Sequence, residues 1–366
     1  MLPVEIYFEK PPTEKLKVEK FASTLKVSLN DVIDISLNLS PFKPPAAIIS
    51  AFIKEAKLSN EYRNYHSSEL RSALSEFYNV PHEKIIVDSG SENILRNIIL
   101  ENIKKGDEVV HIVPNFTFFE KIFSHVRTKT KFLYTREDEN FKIPENRLEA
   151  TISHRTKLVI LCNPNNPTGS FIEPSKISDL VDKFGKTLFL FDEAYGEFVN
   201  GSAIDLIQKH DNVIVTRTFS KAYGLAGLRI GYGIMSKDIV KKLLPRIDAY
   251  QIPAASEAAA TESLKSVKVL EKNRTKLKLW TQKFRAKVNK ISGLIAYNSS
   301  ANFFLVNSKG IGITSTELFK ELLKRGIIVR DCSSHTGLDN YFIRVCTSTP
   351  RKNKIVIEGL REILGG

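Results

Sequence analysis

The sequence predicts an α/β protein: a mostly parallel sheet of seven strands with helices on both faces, followed by a smaller α/β domain. Three observations predict it. From Lys84 to Met235, short β-branched runs alternate with amphipathic stretches, the order of strand and covering helix in a parallel sheet. A length of 366 residues exceeds the usual size of one compact domain. After Lys237 the alternation gives way to a long charged helical tract, and then to a second series of strands and helices.

The strands expected in the sheet are Lys84–Val87, Glu108–Ile112, Lys131–Tyr134, Lys157–Leu161, Leu188–Phe191, Val213–Thr216 and Ile230–Ile234. Between them, a helix is expected over Glu92–Ile103, opening after a glycine, and another over Pro174–Phe184, opening after the turn Asn166–Gly169. The tract Lys237–Lys290 is interrupted by Pro245 and Pro253, which is expected to carry the chain out of the sheet domain. Beyond it, Ala301–Val306, Ile327–Arg330 and Tyr341–Val345 read as strands. Ser315–Lys324 reads as a helix ending at Gly326, and Asn353–Ile363 as the last helix. The expected division is a large domain over residues 31–255, an N-terminal arm over 1–30 and a small C-terminal domain over 256–366.

Composition narrows the class. With 42% hydrophobic and 26% charged residues the chain is too apolar for disorder and too even for a fibre. No apolar run approaches the roughly 20 residues that span a bilayer, and the opening segment lacks the basic-then-apolar order of a signal peptide. A cytoplasmic protein with no membrane partner is expected. Cys162, Cys332 and Cys346 are odd in number and far apart, which suits neither a disulfide framework nor a zinc site, so no metal is expected. The formal charge of +13 would steer an anionic substrate. Its basic residues are scattered over solvated helix faces, and no nucleic-acid partner is expected.

The chemistry concentrates after the predicted strand ends. In Thr218-Phe219-Ser220-Lys221-Ala222-Tyr223-Gly224-Leu225-Ala226-Gly227-Leu228-Arg229, Lys221 supplies an amine able to form an imine. Thr218 and Ser220 add hydroxyl donors, and Arg229 a charge-assisted fork for phosphate. Alone, a lysine after a serine is usually a solvated surface residue. Upstream, Asp192 of Asp192-Glu193-Ala194-Tyr195 ends an apolar strand, where it can keep a pyridinium nitrogen protonated. Alone it would read as a helix cap or turn. Tyr195 can donate its phenol to a ring oxygen, and Asn166 of Cys162-Asn163-Pro164-Asn165-Asn166-Pro167-Thr168-Gly169 can donate its amide to the same atom. Ser89-Gly90-Ser91-Glu92-Asn93 joins a strand to a helix and so offers free N–H groups to an anion.

Taken together, SKAYGLAGLR, NPNNPTG, DEAY and the Gly90 loop resemble, in order and spacing, the class I/II aminotransferases. These are fold-type I pyridoxal-phosphate enzymes with the aspartate aminotransferase-like fold. The likeness runs from about Ile35 to the C-terminus. It implies pyridoxal 5′-phosphate in a Schiff base with Lys221, with Gly90, Ser91, Glu92, Thr218, Ser220 and Arg229 around its phosphate. It further implies Phe116 stacked on the ring, and Asn166, Asp192 and Tyr195 at the ring's polar edge. Tyr65 matches the tyrosine that reaches a neighbour's phosphate across a dimer interface, so a symmetric homodimer is implied. Arg344 matches the arginine that pairs with the substrate α-carboxylate, and Asn38 is a further substrate contact.

Two positions depart from the family's usual pattern: His66 follows Tyr65 where relatives carry proline, and Phe116 stands where tyrosine is frequent. Within the family the chain resembles most the short histidinol-phosphate aminotransferases and the related threonine-phosphate decarboxylase, which share the stretch Gly326–Ser333. That likeness makes Arg330 a second cationic contact for a phosphorylated or acidic side chain, against the plainer reading of a surface arginine. The expected activity is amino transfer between an amino acid and a 2-oxo acid. Decarboxylation of a phosphothreonine-like substrate is the alternative, and an idle aminotransferase-like sensor or scaffold a remote one.

Overall fold

A computed structural model describes residues 32–365 of the chain; the expected N-terminal arm lies outside the described residues. The chain divides into two compact units.

The larger unit comprises residues 42–166 and 170–275. Its seven strands are β1 (Ile85–Asp88), β2 (Glu108–Val113), β3 (Lys129–Tyr134), β4 (Thr156–Cys162), β5 (Leu188–Asp192), β6 (Val213–Thr218) and β7 (Gly231–Ile234). They lie in the order β1-β7-β6-β5-β4-β2-β3. Only β7 runs against the rest, antiparallel to both β1 and β6. The other pairs are parallel. Central strands are apolar on both faces because both faces are covered. Phe189 and Phe191 of β5 enter the core on one face with Val159, Leu161, Val213 and Val215. Leu190 enters the core on the other with Ile160 and Ile214.

Each expected strand of the sheet is present, displaced by no more than two residues at either end. The helix Ser91–Asn102 buries Ile94, Leu95, Ile98 and Ile99 against the sheet. Its first turn approaches so closely that a Cβ on Gly231 would collide with the Ser91 nitrogen and stand 2.5 Å from the Gly90 carbonyl carbon. The stretch Pro174–Phe184 divides into a 3-10 turn, Pro174–Ile177, and a short helix, Ser178–Lys183.

The tract after Lys237 behaves differently from expectation. Residues up to 275 stay with the large unit. The helix Ala254–Lys265 places Ala259, Ala260 and Leu264 in the same core as Ile48 of the helix Ala46–Ala56 and Leu70 and Leu74 of the helix Ser68–Tyr78. Its small residues allow that close packing, which the charge-rich sequence around it disguises. Ser67 gives the helix Ser68–Tyr78 no side-chain cap. Instead, buried Glu257 accepts from the Leu70 N–H at 3.0 Å. Burial pushes that carboxyl up to about 7.

The smaller unit comprises residues 32–41 of the described chain, 167–169 and 276–365. Residues 32–41 were expected in the large domain, but Ile33 and Asp34 pair in parallel with Ile327 and Ile328. That pairing also splits the expected strand Ile327–Arg330. Ile327–Ile328 joins the segment near the N-terminus, whereas Arg330–Asp331 joins the antiparallel sheet built on Phe303–Asn307 and Phe342–Cys346. The helix Ser315–Lys324 begins with a capping box between Thr314 and Glu317. No described helix is long and apolar enough to cross a membrane.

Replacing Gly231 by alanine should force the start of the helix Ser91–Asn102 away from the sheet. The expected cost is about 1–3 kcal/mol, read as a lowered urea midpoint. An unchanged midpoint would mean that this contact yields freely.

Candidate active site

Because every strand but β7 points the same way, the carboxyl ends of β1, β4, β5 and β6 meet at one edge of the sheet. The register places Asp88 beside Gly231, Gly231 beside Thr218, Thr216 beside Asp192 and Asp192 beside Cys162.

Asp192 is 3% exposed. The Thr216 hydroxyl donates to its Oδ1 at 3.3 Å and the Cys162 thiol to its Oδ2 at 3.7 Å. Burial pushes its carboxyl up to about 6, although these donors and the Ala194 backbone pull the other way. An acid so deeply buried needs a positively charged partner to stay ionised.

Lys221 follows β6 in a loop held by backbone bonds from Phe219 to Ile230 and from Leu225 to Phe219. Phe219 and Tyr223 pack together in the core, ring centroids 4.8 Å apart, and anchor the loop from below. The Lys221 Nζ stands 5.9 Å from the centre of the buried Tyr195 ring. The lysine after β6 and the tyrosine after β5 therefore share one corner of the strand edge.

Beside them lie the residues expected to form an anion cradle. Gly90 has φ +87°, a left-handed conformation that favours glycine, and a Cβ there would stand 2.9 Å from the Arg229 Nη2. Arg229, exposed and itself at φ +54°, thus lays its guanidinium against the Gly90 backbone at the head of the helix Ser91–Asn102. Thr218, the last residue of β6, and Ser220 in the loop that follows are both buried, with the Ser220 N–H donating to the Thr218 hydroxyl at 3.1 Å. Of the expected cradle residues, Glu92 departs in its side chain, which is exposed and paired with Arg96 at 3.3 Å. Only its backbone is left to serve the cradle.

Asn166 is buried, and Phe116 is half-buried with its ring inclined 25° to that of Phe118. Tyr65 is 62% exposed, in a turn where Asn64, His66 and Ser67 all have positive φ. Its ring lies edge-on to Tyr250.

Sequence reasoning missed Asp88. Fully buried at the end of β1, it accepts from the Ser89 N–H at 2.5 Å and the Asn97 amide at 3.3 Å, so it ties the cradle loop to the helix that follows. The available signal was an acid ending an apolar strand, as at Asp192. Glu193 was also missed. It receives two hydrogen bonds from Arg217, at 2.7 and 3.0 Å, and one from the Ala203 N–H at 2.7 Å, which fixes the chain behind Asp192.

In the smaller unit, Arg330 and Arg344 face each other across antiparallel strands. Arg344 is buried, lies over the Phe303 ring and donates to the Ser36 carbonyl. Burial and the Arg344 charge lower the proton affinity of Arg330. The carboxylate next to Arg330, Asp331, is engaged instead by the Ser315 and Thr316 hydroxyls at 2.8 and 2.7 Å. Asn38 is buried at φ +56°, and its carbonyl accepts from Asn302 at 3.2 Å.

The family model for aminotransferase class I and II matches residues 30–360. The chain belongs to that family. This aminotransferase is 34% identical over 338 residues to histidinol-phosphate aminotransferase 1 of Archaeoglobus fulgidus, covering 91% of this chain and 100% of that one. Its fold is similar, at a TM-score of 0.86 and 23% identity, to histidinol-phosphate aminotransferase from Sinorhizobium meliloti in complex with pyridoxal-5′-phosphate. That match covers 100% of this chain and 97% of the other. The L-threonine-O-3-phosphate decarboxylase from Porphyromonas gingivalis has a TM-score of 0.80 at 24% identity, covering 92% and 100%. Both structures match the aminotransferase in fold.

The pH dependence of Asp192 has a definite sign. Its folded carboxyl titrates at about 6 against an ordinary value of 3.8, so folding takes up a proton between the two. The stabilising contribution of the protonated group is complete below the lower value and lost as the pH rises through the higher. A cofactor-free Asp192→Asn aminotransferase should therefore gain in urea midpoint over the unmodified protein as the pH is raised from about 4 to about 7. A constant difference would contradict the burial of a titrating carboxyl.

Proposed function

We propose that this aminotransferase holds pyridoxal 5′-phosphate through Lys221 and moves an amino group between a phosphate-bearing amino compound of the histidinol-phosphate kind and a 2-oxo acid. What supports the reading most is the gathering of an amine, a buried acid and an anion cradle at one strand edge. The residues fit the group. A Cβ at Gly90 would crowd Arg229 where a phosphate needs backbone N–H groups, and the buried Asp192 carboxyl, pushed up to about 6 by burial, suits the cation that a protonated ring nitrogen would supply.

When bound, the cofactor supplies an aldehyde and a pyridine ring that accepts electrons from the substrate Cα. The protein's share is positional and acid–base. Asp192 would keep its charge for the ring nitrogen, and Tyr195 and Asn166 would donate to the ring oxygen. Ser91 and Glu92 would give backbone N–H groups to the phosphate, Thr218 and Ser220 hydroxyls, and Arg229 a guanidinium. Phe116 would bear on the ring face. Lys221, whose amine would hold the aldehyde, would serve as the base and acid that moves a proton at the substrate Cα.

Arg330 and Arg344, in register on neighbouring strands, offer two guanidinium groups. Arg344 would take an α-carboxylate, as of glutamate, and Arg330 the second anion, a phosphate or side-chain carboxylate. Asn38 would be a further substrate contact. Two cations of this kind favour doubly anionic substrates. The relative from Archaeoglobus fulgidus carries the histidinol-phosphate name. Tyr65, exposed beside Tyr250, would reach the phosphate of a second copy in a homodimer.

Borohydride should fix the cofactor covalently to Lys221 alone, and Lys221→Ala should lose both the fixation and turnover, as peptide mass and rate will show. Glutamate with a panel of 2-oxo acids, run beside histidinol phosphate and O-phosphothreonine, defines the reaction. Carbon dioxide released without an oxo product would replace transfer by decarboxylation. Arg330→Ala should raise KM for the phosphorylated substrate about ten- to a hundredfold while sparing its unphosphorylated parent. Equal losses on both would remove Arg330 from phosphate recognition.

A further inference from the structure

We propose that Cys162 and Thr216 are positioning residues for Asp192: from the strands on either side, each holds one carboxylate oxygen, so that Asp192 presents a fixed edge to the cofactor ring. The proposal rests on the reading of Asp192 as the partner of the ring nitrogen.

The three residues are direct neighbours in adjacent parallel strands, Cys162 opposite Asp192 and Asp192 opposite Thr216. All three are buried. The same face of these strands is apolar two residues earlier: Ile160 on the strand of Cys162 and Ile214 on that of Thr216, both in the core. Packing alone would accept valine or alanine at either position. Burying a hydroxyl and a thiol there is favourable only if their donors are used. They are used on opposite oxygens, Thr216 on Oδ1 at 3.3 Å and Cys162 on Oδ2 at 3.7 Å. A carboxylate gripped at both oxygens cannot rotate about its last bond.

The electrostatics agree with the geometry. Burial and the Asp192 charge push the Cys162 thiol well above its ordinary range, so it keeps its proton and remains a donor. Around Asp192, burial and the Glu193 charge favour the protonated acid, while Thr216, Cys162 and the Ala194 backbone oppose it. Arg217 compensates Glu193, and the Lys221 Nζ stands 5.9 Å from the centre of the Tyr195 ring at this corner.

The test uses full-length, cofactor-free protein with 13C-labelled aspartate, following the Asp192 carboxyl by NMR through a pH titration. A hydroxyl donates more strongly than a thiol, and a methyl group not at all. Cys162→Ser should therefore lower the midpoint and Cys162→Ala raise it, each by about half a unit or more. Thr216→Val should raise it, and Thr216→Ser restore the unmodified value. Pyridoxal phosphate, measured by dialysis, should leave Cys162→Ala and Thr216→Val several times more readily than the unmodified protein. Equal midpoints for Cys162→Ser and Cys162→Ala would overturn the proposal, because a structural role would not order the two. Asp192→Asn separates the underlying reading: cofactor retained undiminished there would remove Asp192 as the ring's partner, while the midpoint order would still decide whether the flanking donors grip it.

Discussion

A carboxylate buried at the end of an apolar strand is the constraint around which the large unit is arranged. Taking Asp192 out of water disfavours its charge, and a protein keeps such a group only where donors and a cation can repay the loss. The parallel sheet makes this possible, because neighbouring strands end together and bring Cys162 and Thr216 to either side. The loops that follow those strands carry Tyr195, Asn166 and Lys221 past the same edge.

The edge is held closely around the Gly90 loop. Gly231 lets the helix Ser91–Asn102 rest directly on β7, and Asp88 ties the preceding loop to that helix. Arg229 closes the cradle at the cost of a left-handed backbone, a strain that marks many ligand-binding loops. Behind Asp192, the pairing of Glu193 with Arg217 spans two strands and holds the turn that leads to Tyr195. Such a pair is stable because the carboxylate is satisfied on several sides.

Local patterns made much of this legible. Runs such as Leu188-Phe189-Leu190-Phe191 read as a strand buried on both faces, since only a covered sheet tolerates apolar residues at successive positions. Motif residues stood out because glycine, lysine and acids gather at strand ends. Less legible was whatever depends on distant partners. Glu257 lies 187 residues from the Leu70 amide that it caps, and the helix Ala254–Lys265 reads as part of a charged tract until its alanines are seen against Ile48. The short pairing of Ile33–Asp34 with Ile327–Ile328 moved residues 32–41 out of the expected large domain for the same reason.

By itself, then, the sequence determined the strand and helix order, the α/β class and the residue types able to anchor a phosphate-bearing aldehyde, because periodicity and motif spacing are properties of contiguous chain. Only the tertiary structure decided which residues are neighbours across strands: that Cys162 and Thr216 flank Asp192, that Gly231 admits the cradle helix, and that Arg330 faces Arg344. Strand order and register are set by the packing of the whole sheet, and no single segment encodes them.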